Sequence, residues 1–173
     1  MLEQIKIAEI NDLPGVISLY KAICDHQSQD QYGANWTWGE YPSEESLTEN
    51  IQKKQLVIGL QDGKVIAGGV VTIGEDYPQV DWPTPATENE IGVLHLLGVH
   101  PDYRGTGISS QIVGAVQNHA KKLGLKVLHL DVLANNVPAE KLYQKNGFKL
   151  VKSLTLHFDD IGDQLAKVME YSI

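Results

Sequence analysis

The sequence predicts an α/β fold of about seven strands and about four helices in a single domain, residues 1–173. Within Leu97–Ser110, an apolar strand leads through Pro101 and a glycine turn into a helix. Upstream, two apolar segments flank Asp62–Gly63, which is a strong β-hairpin signal. With 173 residues, of which 42% are hydrophobic, the chain can bury one sizeable core.

The first half of the chain predicts a strand, two helices and the hairpin. Pro14 in the first turn of one helix and Ser43 as the cap of the other mark where the helices begin. Gly68–Gly69 indicates a β-bulge or a close backbone approach in the second hairpin strand. The predicted strands are 5–10, 55–60 and 65–73, and the predicted helices are 14–25 and 43–54.

The second half predicts four strands and two helices. Gly124 stops a long helix, while Pro138 opens a short helix that Gly147 ends. The predicted strands are 91–99, 127–133, 148–158 and 165–173, and the predicted helices are 107–123 and 138–147. Residues 26–42 and 74–90 are long loops, of a length typical of binding loops.

The turn after the central strand has the chemistry of an anion site. Gly105 and Gly107 permit positive φ and a close backbone approach. The helix that begins near Ile108 offers unpaired N–H groups at its positive end. Arg104 adds a positive charge, and Ser109 and Ser110 add hydroxyl donors, so the turn can hold a phosphate.

Two familiar phosphate-binding turns do not match. A Walker-type loop needs Lys beside Ser or Thr after its last glycine, whereas Ile108 and Ser109 follow Gly107. A dinucleotide fingerprint needs a third glycine where Ser110 stands, and no βαβ crossover with a ribose-binding acid follows in register.

Two linked motifs instead resemble the GCN5-related N-acetyltransferase (GNAT) family. Arg104 and Gly107 match its acetyl-CoA turn, Gln/Arg-x-x-Gly-x-Gly/Ala, with Ser109 as a departure. Asn136–Phe148 matches Asn-x-x-Ala-x-x-x-Tyr-x-x-x-Gly-Phe at unbroken spacing. The resemblance covers residues 5–158. It implies a central mixed, mostly antiparallel sheet flanked by helices, whose two central strands splay at the cofactor.

The resemblance implies acetyl-CoA as co-substrate and no metal. Backbone groups of Leu97, Gly98 and Val99 would bind the pantetheine arm. Asn136 would bind near the thioester, although it also suits a turn or a helix cap. The pyrophosphate would be held by Arg104, Gly105, Thr106, Gly107, Ile108, Ser109 and Ser110.

The same resemblance makes Tyr143 the candidate general acid, since a phenol of pKa about 10 can protonate a thiolate of pKa about 8.5. A tyrosine on an amphipathic helix can also be a core residue. Three residues are alternative general bases. Asp131 lies on the splaying strand, His95 has a suitable ordinary pKa of about 6.5, and Glu90 is the third choice. Each of them can equally serve the structure.

In the resembled family, the region between the first two helices often covers the acceptor site. Trp36 and Trp38 of the first long loop are therefore candidate walls for the substrate, and Trp82 of the second loop is another. The alternative is that these rings pin their loops to the core.

The charge pattern limits the partners. A net charge of −8 disfavours nucleic acid and anionic membranes. No Lys or Arg lies between Lys64 and Arg104, where six acids occur. If that stretch edges the acceptor pocket it favours a cationic amine, and otherwise it is a solvated loop. These six acids are Glu75, Asp76, Asp81, Glu88, Glu90 and Asp102.

The sequence also bears on location and assembly. Cys24 is the only cysteine, no apolar run reaches about 18 residues, and the N-terminus lacks the form of a signal peptide. We therefore expect a soluble cytoplasmic protein. The last strand could also pair with the sheet of a second copy, so a homodimer is one alternative for the assembly.

The expected function is N-acetylation of a primary amine, from a small cationic molecule or a peptide, by direct attack in a ternary complex. Cys24 lies at the edge of an apolar helical stripe, which argues against an acetyl-cysteine intermediate. The alternatives are a non-catalytic acyl-CoA-binding or sensing module without a base, and an interaction protein whose aromatic loops form an interface.

Overall fold

The computed structural model describes residues 1–173 and contains one seven-stranded sheet with four helices. The strands are β1 Gln4–Ile7, β2 Leu56–Gln61, β3 Lys64–Ile73, β4 Ile91–Val99, β5 Val127–Leu133, β6 Lys149–Phe158 and β7 Gly162–Ser172. The helices are α1 Leu13–His26, α2 Glu44–Gln52, α3 Ile108–Lys122 and α4 Val137–Lys145.

The predicted α/β fold is confirmed, with differences at the first and last strands. β7 begins at Gly162, three residues before the predicted start at 165. The pairing of β1 with β2 ends at Ile7, whereas the prediction extends the strand to Ile10. Ile10 lies in a short 3-10 turn and is 54% exposed, so its apolar side chain contributes nothing to a sheet face.

The sheet runs in the order β1-β2-β3-β4-β5-β7-β6, and only β4 and β5 are parallel neighbours. Their pairing is confined to Ile91–Val93 against Val127–His129. Past these residues the two strands have no ladder between them, although β3 and β7 continue to pair on their outer sides. The centre of the sheet is therefore open toward the C-terminal ends of β4 and β5.

A β-bulge shapes the same region. Gly68 pairs with Gly98 and Val70 pairs with His95, so two residues of β4 oppose the single residue between Gly68 and Val70. Leu96 in the bulge has φ of 53°, and its carbonyl accepts a hydrogen bond from the buried Tyr20 hydroxyl at 2.6 Å. The bulge predicted at Gly68–Gly69 is present, with the extra residue on β4.

Helices cover both faces of the sheet. On β2, Leu56 and Ile58 pack in the cluster that contains the α1 and α2 side chains, whereas Val57 packs in the cluster that contains those of α3. This alternation places α1 and α2 on one face and α3 on the other. No helix is long and apolar enough to cross a membrane.

The segment between β3 and β4, residues 74–90, covers the part of the sheet that α1 leaves open. Tyr77 and Val80 are buried against Val93, Val127 and Val168. This packing holds the segment beside the opening between β4 and β5.

Candidate active site

A cavity of about 980 Å³ lies where β4 and β5 diverge. Its lining includes His95 from β4, Asp131 from β5 and Tyr143 from α4. Loop residues that include Trp36 and Tyr77 complete its walls.

A second cavity, of about 280 Å³, adjoins the first. Both are lined by Trp36, Leu97, Asn136 and Tyr143. The second cavity continues past Gly98 and Val99 to Arg104 and Ser109. A continuous path therefore leads from Tyr143 along the end of β4 that has no β5 partner to the glycine turn.

The glycine turn has the geometry expected of an anion site. Gly105 and Gly107 have φ of 75° and 82°, and Gly107 precedes the first turn of α3 without a side-chain cap. Thr106 between them is exposed, whereas the Ile108 side chain is buried and can offer only its backbone to a ligand. The Ser110 hydroxyl accepts a hydrogen bond from Asn146 of the segment after α4.

Arg104 is already paired within the protein. Its Nη1 lies 2.8 Å from both carboxylate oxygens of Asp30, which also lies 2.9 Å from Nδ1 of His26. Burial acts to raise the pKa of Asp30, but the hydrogen bonds and charges of Arg104 and His26 outweigh it and lower that pKa. Arg104 thus joins the glycine turn to the segment that follows α1.

Tyr143 is buried on α4, and its ring lies edge-on to Phe148 at 5.6 Å between centroids. Its hydroxyl makes no hydrogen bond within the protein, and the residue lines both cavities. Burial, with a smaller contribution from the charge of Asp131, raises the pKa of Tyr143 well above its ordinary value. The phenol therefore retains its proton at neutral pH.

Asp131 accepts a hydrogen bond of 2.6 Å from the Tyr77 hydroxyl. Burial raises the pKa of Asp131 and outweighs the opposing effects of the Tyr77 hydrogen bond and of His95. His95 lies with Nε2 2.8 Å from Oδ2 of Asp76. The structure thus brings two of the three candidate bases to one cavity.

Glu90 lies elsewhere. It precedes the first residue of β4, at the end of the strand opposite the cavity, and pairs with Lys126 at 2.7 Å. Hydrogen bonds from Lys126 and Thr87 lower the pKa of Glu90 to about 2. This carboxylate therefore links the residue before β4 to the residue before β5.

Asn136 precedes α4, but its side chain does not cap that helix. Because the residue lines both cavities and its amide makes no hydrogen bond within the protein, the amide is available to a ligand. Asn136 thus stands at the N-cap position of α4, as the sequence suggests, and its backbone N–H closes a turn onto the Leu133 carbonyl, while its side chain stays free.

The three candidate tryptophans have different surroundings. Trp36 lines both cavities and contacts the ring of Tyr20. Trp38 packs beside the core under α1, with the Lys21 ammonium 5.4 Å from its ring centroid, and lines neither cavity. Trp82 stacks on His129 at 3.5 Å and also lies outside both cavities, because this contact turns it toward the sheet.

The large cavity is acidic, but most of its carboxylates lie outside the acidic stretch between Lys64 and Arg104. Only Asp76 of the six acids between Lys64 and Arg104 lines it, and no Lys or Arg does. Its other carboxylates come from separate parts of the chain: Glu40, Asp131, Asp159 and Asp160.

No sequence pattern marks Tyr77 or Asp30 as a site residue, since neither belongs to a motif of fixed spacing.

Comparison with known proteins agrees with the two motifs. The sequence model of the acetyltransferase (GNAT) family matches residues 20–148. The uncharacterized N-acetyltransferase YycN of Bacillus subtilis is 32% identical over 65 residues, which are 38% of this chain and 42% of YycN. Among such curated relatives, the chain spans between 21% and 54% of their length.

Solved structures share the fold over nearly the whole chain. The ribosomal-protein-S18-alanine N-acetyltransferase from Escherichia coli has a TM-score of 0.69 and 21% identity, covering 98% of this chain and 93% of that one. YncA from Salmonella typhimurium, solved with its cofactor acetyl-CoA, has a TM-score of 0.73 and 13% identity, covering 98% and 92%. Since the family match extends over well over half of the sequence, this chain belongs to the acetyltransferase (GNAT) family.

Proposed function

We propose that the protein transfers the acetyl group of acetyl-CoA to the primary amine of a small cationic molecule or a peptide, by direct attack in a ternary complex. The observation that carries this proposal is the position of the Tyr143 hydroxyl. It has no partner in the protein, and it lies in one cavity with Asp131 and His95, at the end of a path that begins at the glycine turn.

The residues along the path fit acetyl-CoA. The end of β4 at Leu97–Val99 has no β5 partner for its backbone groups. Side chains at Gly105 and Gly107 would meet no atom within 4 Å, so this part of the turn is open. Arg104, the first N–H groups of α3 and the Asn136 amide supply polar contacts. When bound, acetyl-CoA supplies an activated thioester, so the protein's task is to position groups and move protons.

Two kinds of proton carrier are present. Tyr143 holds the proton that a departing sulfur requires. Asp131 or His95 takes the proton that the acceptor ammonium must lose before its nitrogen can attack. Because Asp76 lies against Nε2 of His95, Nδ1 is the nitrogen that would carry the free lone pair in the neutral ring.

The lining of the cavity favours a cationic acceptor. Its carboxylates have no Lys or Arg among the lining residues to neutralise them, and Trp36 and Tyr41 add aromatic surface. Burial is the main cause that raises the pKa of the Tyr41 hydroxyl, and the negative charges of Asp131, Asp76 and Asp160 raise it further. An amine with a second positive charge can reach a carboxylate at the mouth while its reacting nitrogen lies near Asp131.

The experiment is thiol release from acetyl-CoA with monoamines, diamines and peptides, with calorimetric titration of CoA on the same sample. We expect turnover and a preference for diamines over monoamines of equal length. Asp160→Asn should raise KM for a diamine by about 3- to 10-fold. The control Asp62→Asn, at an exposed acid in the turn between β2 and β3, should not.

The other outcomes separate the alternatives. CoA binding without turnover of any amine would favour a non-catalytic acyl-CoA-binding or sensing module. Failure to bind CoA would contradict the proposal. Oligomeric state and cellular location are left to direct measurement, and we expect the cytoplasm.

A further inference from the structure

Outside the cavity, a buried ionic network joins the 74–90 segment to the sheet. Nδ1 of His129 lies 2.9 Å from Glu75, and Nε2 lies 2.9 Å from Glu170. The His129 side chain is 1% exposed, and those of Glu75 and Glu170 are 8% and 7% exposed. With both carboxylates ionised, the imidazole donates from both nitrogens, as a cation between two anions.

The segment contacts this network at three points. Glu75 pairs with His129 directly, and the Trp82 ring stacks on the imidazole with planes 9° apart. The Thr84 hydroxyl donates to the second oxygen of Glu170 at 2.6 Å. Buried polar side chains are costly unless each has a hydrogen-bond partner, so the stability of the segment depends on His129.

The network continues to the candidate bases. The second carboxylate oxygen of Glu75 accepts the backbone N–H of Tyr77 at 2.9 Å, and the Tyr77 hydroxyl donates to Asp131. Asp76, between Glu75 and Tyr77, contacts His95. His129 and Asp131 alternate with one residue between them on β5, so their side chains share a face.

We propose that His129 is a positioning residue for acetyl transfer, holding Glu75 so that the Tyr77 hydroxyl is set on Asp131 and Asp76 on His95. This inference rests on the proposed function. Removal of the imidazole breaks the hydrogen bonds that join Glu75 to Glu170, so Glu75 loses its buried partner and the segment that carries Asp76 and Tyr77 shifts.

Five side chains face Asp131, and a displacement of the 74–90 segment would move some of them. Tyr77 and Asp76 come from the segment, and His95 comes from β4. Tyr41 from the loop before α2 and Tyr143 from α4 are the others. Only the first two depend on the His129 network for their position.

The kinetic test compares His129→Gln, Glu75→Gln and Tyr77→Phe. We expect His129→Gln to lower kcat on the order of 10²-fold, with KM for acetyl-CoA unchanged, because misplacement by about 1 Å has that effect. The double variant His129→Gln/Tyr77→Phe should be no slower than His129→Gln, because the contact that Tyr77→Phe removes is one that His129→Gln already disturbs. His119→Gln, on α3 outside both cavities, is the matched control. Glutamine can keep the hydrogen bond to the Lys54 carbonyl, so the rate should match that of the wild type.

A second measurement does not require turnover. In carboxyl-labelled protein, NMR titration of Asp131 should show its pKa raised further in His129→Gln and Tyr77→Phe, since both lose the hydrogen bond that lowers it. If His129→Gln fails to fold, the isosteric Glu75→Gln variant carries the same test.

Additive kinetic losses, or an Asp131 titration in His129→Gln or Glu75→Gln identical to that of the wild type, would overturn the positioning role. Absence of turnover in the wild type would instead reject the proposed function. The titration would then decide the positioning role alone.

Discussion

Nη1 of Arg104 lies 2.8 Å from both carboxylate oxygens of Asp30, so the cation of the glycine turn is shared with the segment that follows α1. A phosphate that reaches the turn must compete with this carboxylate for the guanidinium. The pair therefore links the affinity for a phosphorylated ligand to a residue outside both family motifs.

The first prediction concerns this competition. Asp30→Asn frees Arg104 and removes a negative charge beside the turn, so CoA should bind about 2- to 5-fold tighter in calorimetry. Asp102→Asn, an exposed acid near the same turn that does not contact Arg104, is the control and should leave the affinity unchanged. Weaker CoA binding by Asp30→Asn would show that the pair positions Arg104 for the ligand.

The second prediction concerns Tyr143. Tyr143→Phe should lower kcat by about 10²- to 10⁴-fold because it removes the proton donor. CoA affinity and melting temperature should stay near the wild-type values, because the ring stays packed in the core and the hydroxyl that is lost makes no hydrogen bond within the protein. An unchanged kcat would remove the acid role, and a large loss of stability would indicate a core role.

The third prediction follows from the pKa of Asp131, which burial raises above its ordinary 3.8. The Asp131 carboxyl therefore binds its proton more tightly in the folded protein than in the unfolded chain. Its contribution to the free energy of unfolding falls as the pH rises from 3.8 through the raised pKa of the folded state. At neutral pH the ionised carboxylate is therefore a net cost. Asn removes the charge and retains an acceptor for Tyr77.

We expect Asp131→Asn to raise the melting temperature at neutral pH by about 2–4 °C for each kcal/mol gained. This gain should disappear below about pH 3, where the carboxyl is protonated in both states. If Asp131 is the base, kcat falls by about 10²- to 10⁴-fold. His95→Gln, measured in parallel, shows the larger loss if His95 is the base. A lower melting temperature for Asp131→Asn at neutral pH would refute the stability prediction.

The fourth prediction compares one substitution at two glycines of the same region. Gly107 has φ of 82°, so Gly107→Ala should destabilise the protein by about 1–2 kcal/mol. Gly114 lies within α3, where an added Cβ would meet no atom within 4 Å, so Gly114→Ala should stabilise it by about 0.5–1 kcal/mol. Urea unfolding measures both, and CoA affinity should fall only for Gly107→Ala. Shifts of the same sign would contradict the argument.

Local patterns predict the elements closely because their causes lie within a few residues. Asp62–Gly63 marks a turn whose Asp62 and Gly63 both have positive φ. The cap of α2 works as predicted, with the Ser43 hydroxyl accepting from the Ser46 N–H. The predicted first strand is too long because Ile10 continues an apolar pattern that lacks a pairing partner.

The candidate site divides in the same way. Motif spacing is local and therefore marks Arg104, Gly107, Asn136 and Tyr143 as candidates. The structure places Arg104, Asn136 and Tyr143 in the lining of one cavity. Trp38 and Trp82 are suggested as walls by the loops in which they lie, Trp38 through the family resemblance of the first loop. Their neighbours, α1 and His129, are distant in sequence, so the position of a loop cannot show which way its rings turn.

By itself, the sequence determined the order of strands and helices, the glycine turn before α3 and the family. These features depend on periodicity, on glycine conformation and on short motifs. Only the tertiary structure decided that Asp76, Asp131 and Asp160 meet at one cavity, and that His129 lies between Glu75 and Glu170. Sheet pairing and the path of the 74–90 segment bring these residues together across long stretches of chain, and no local pattern encodes such contacts.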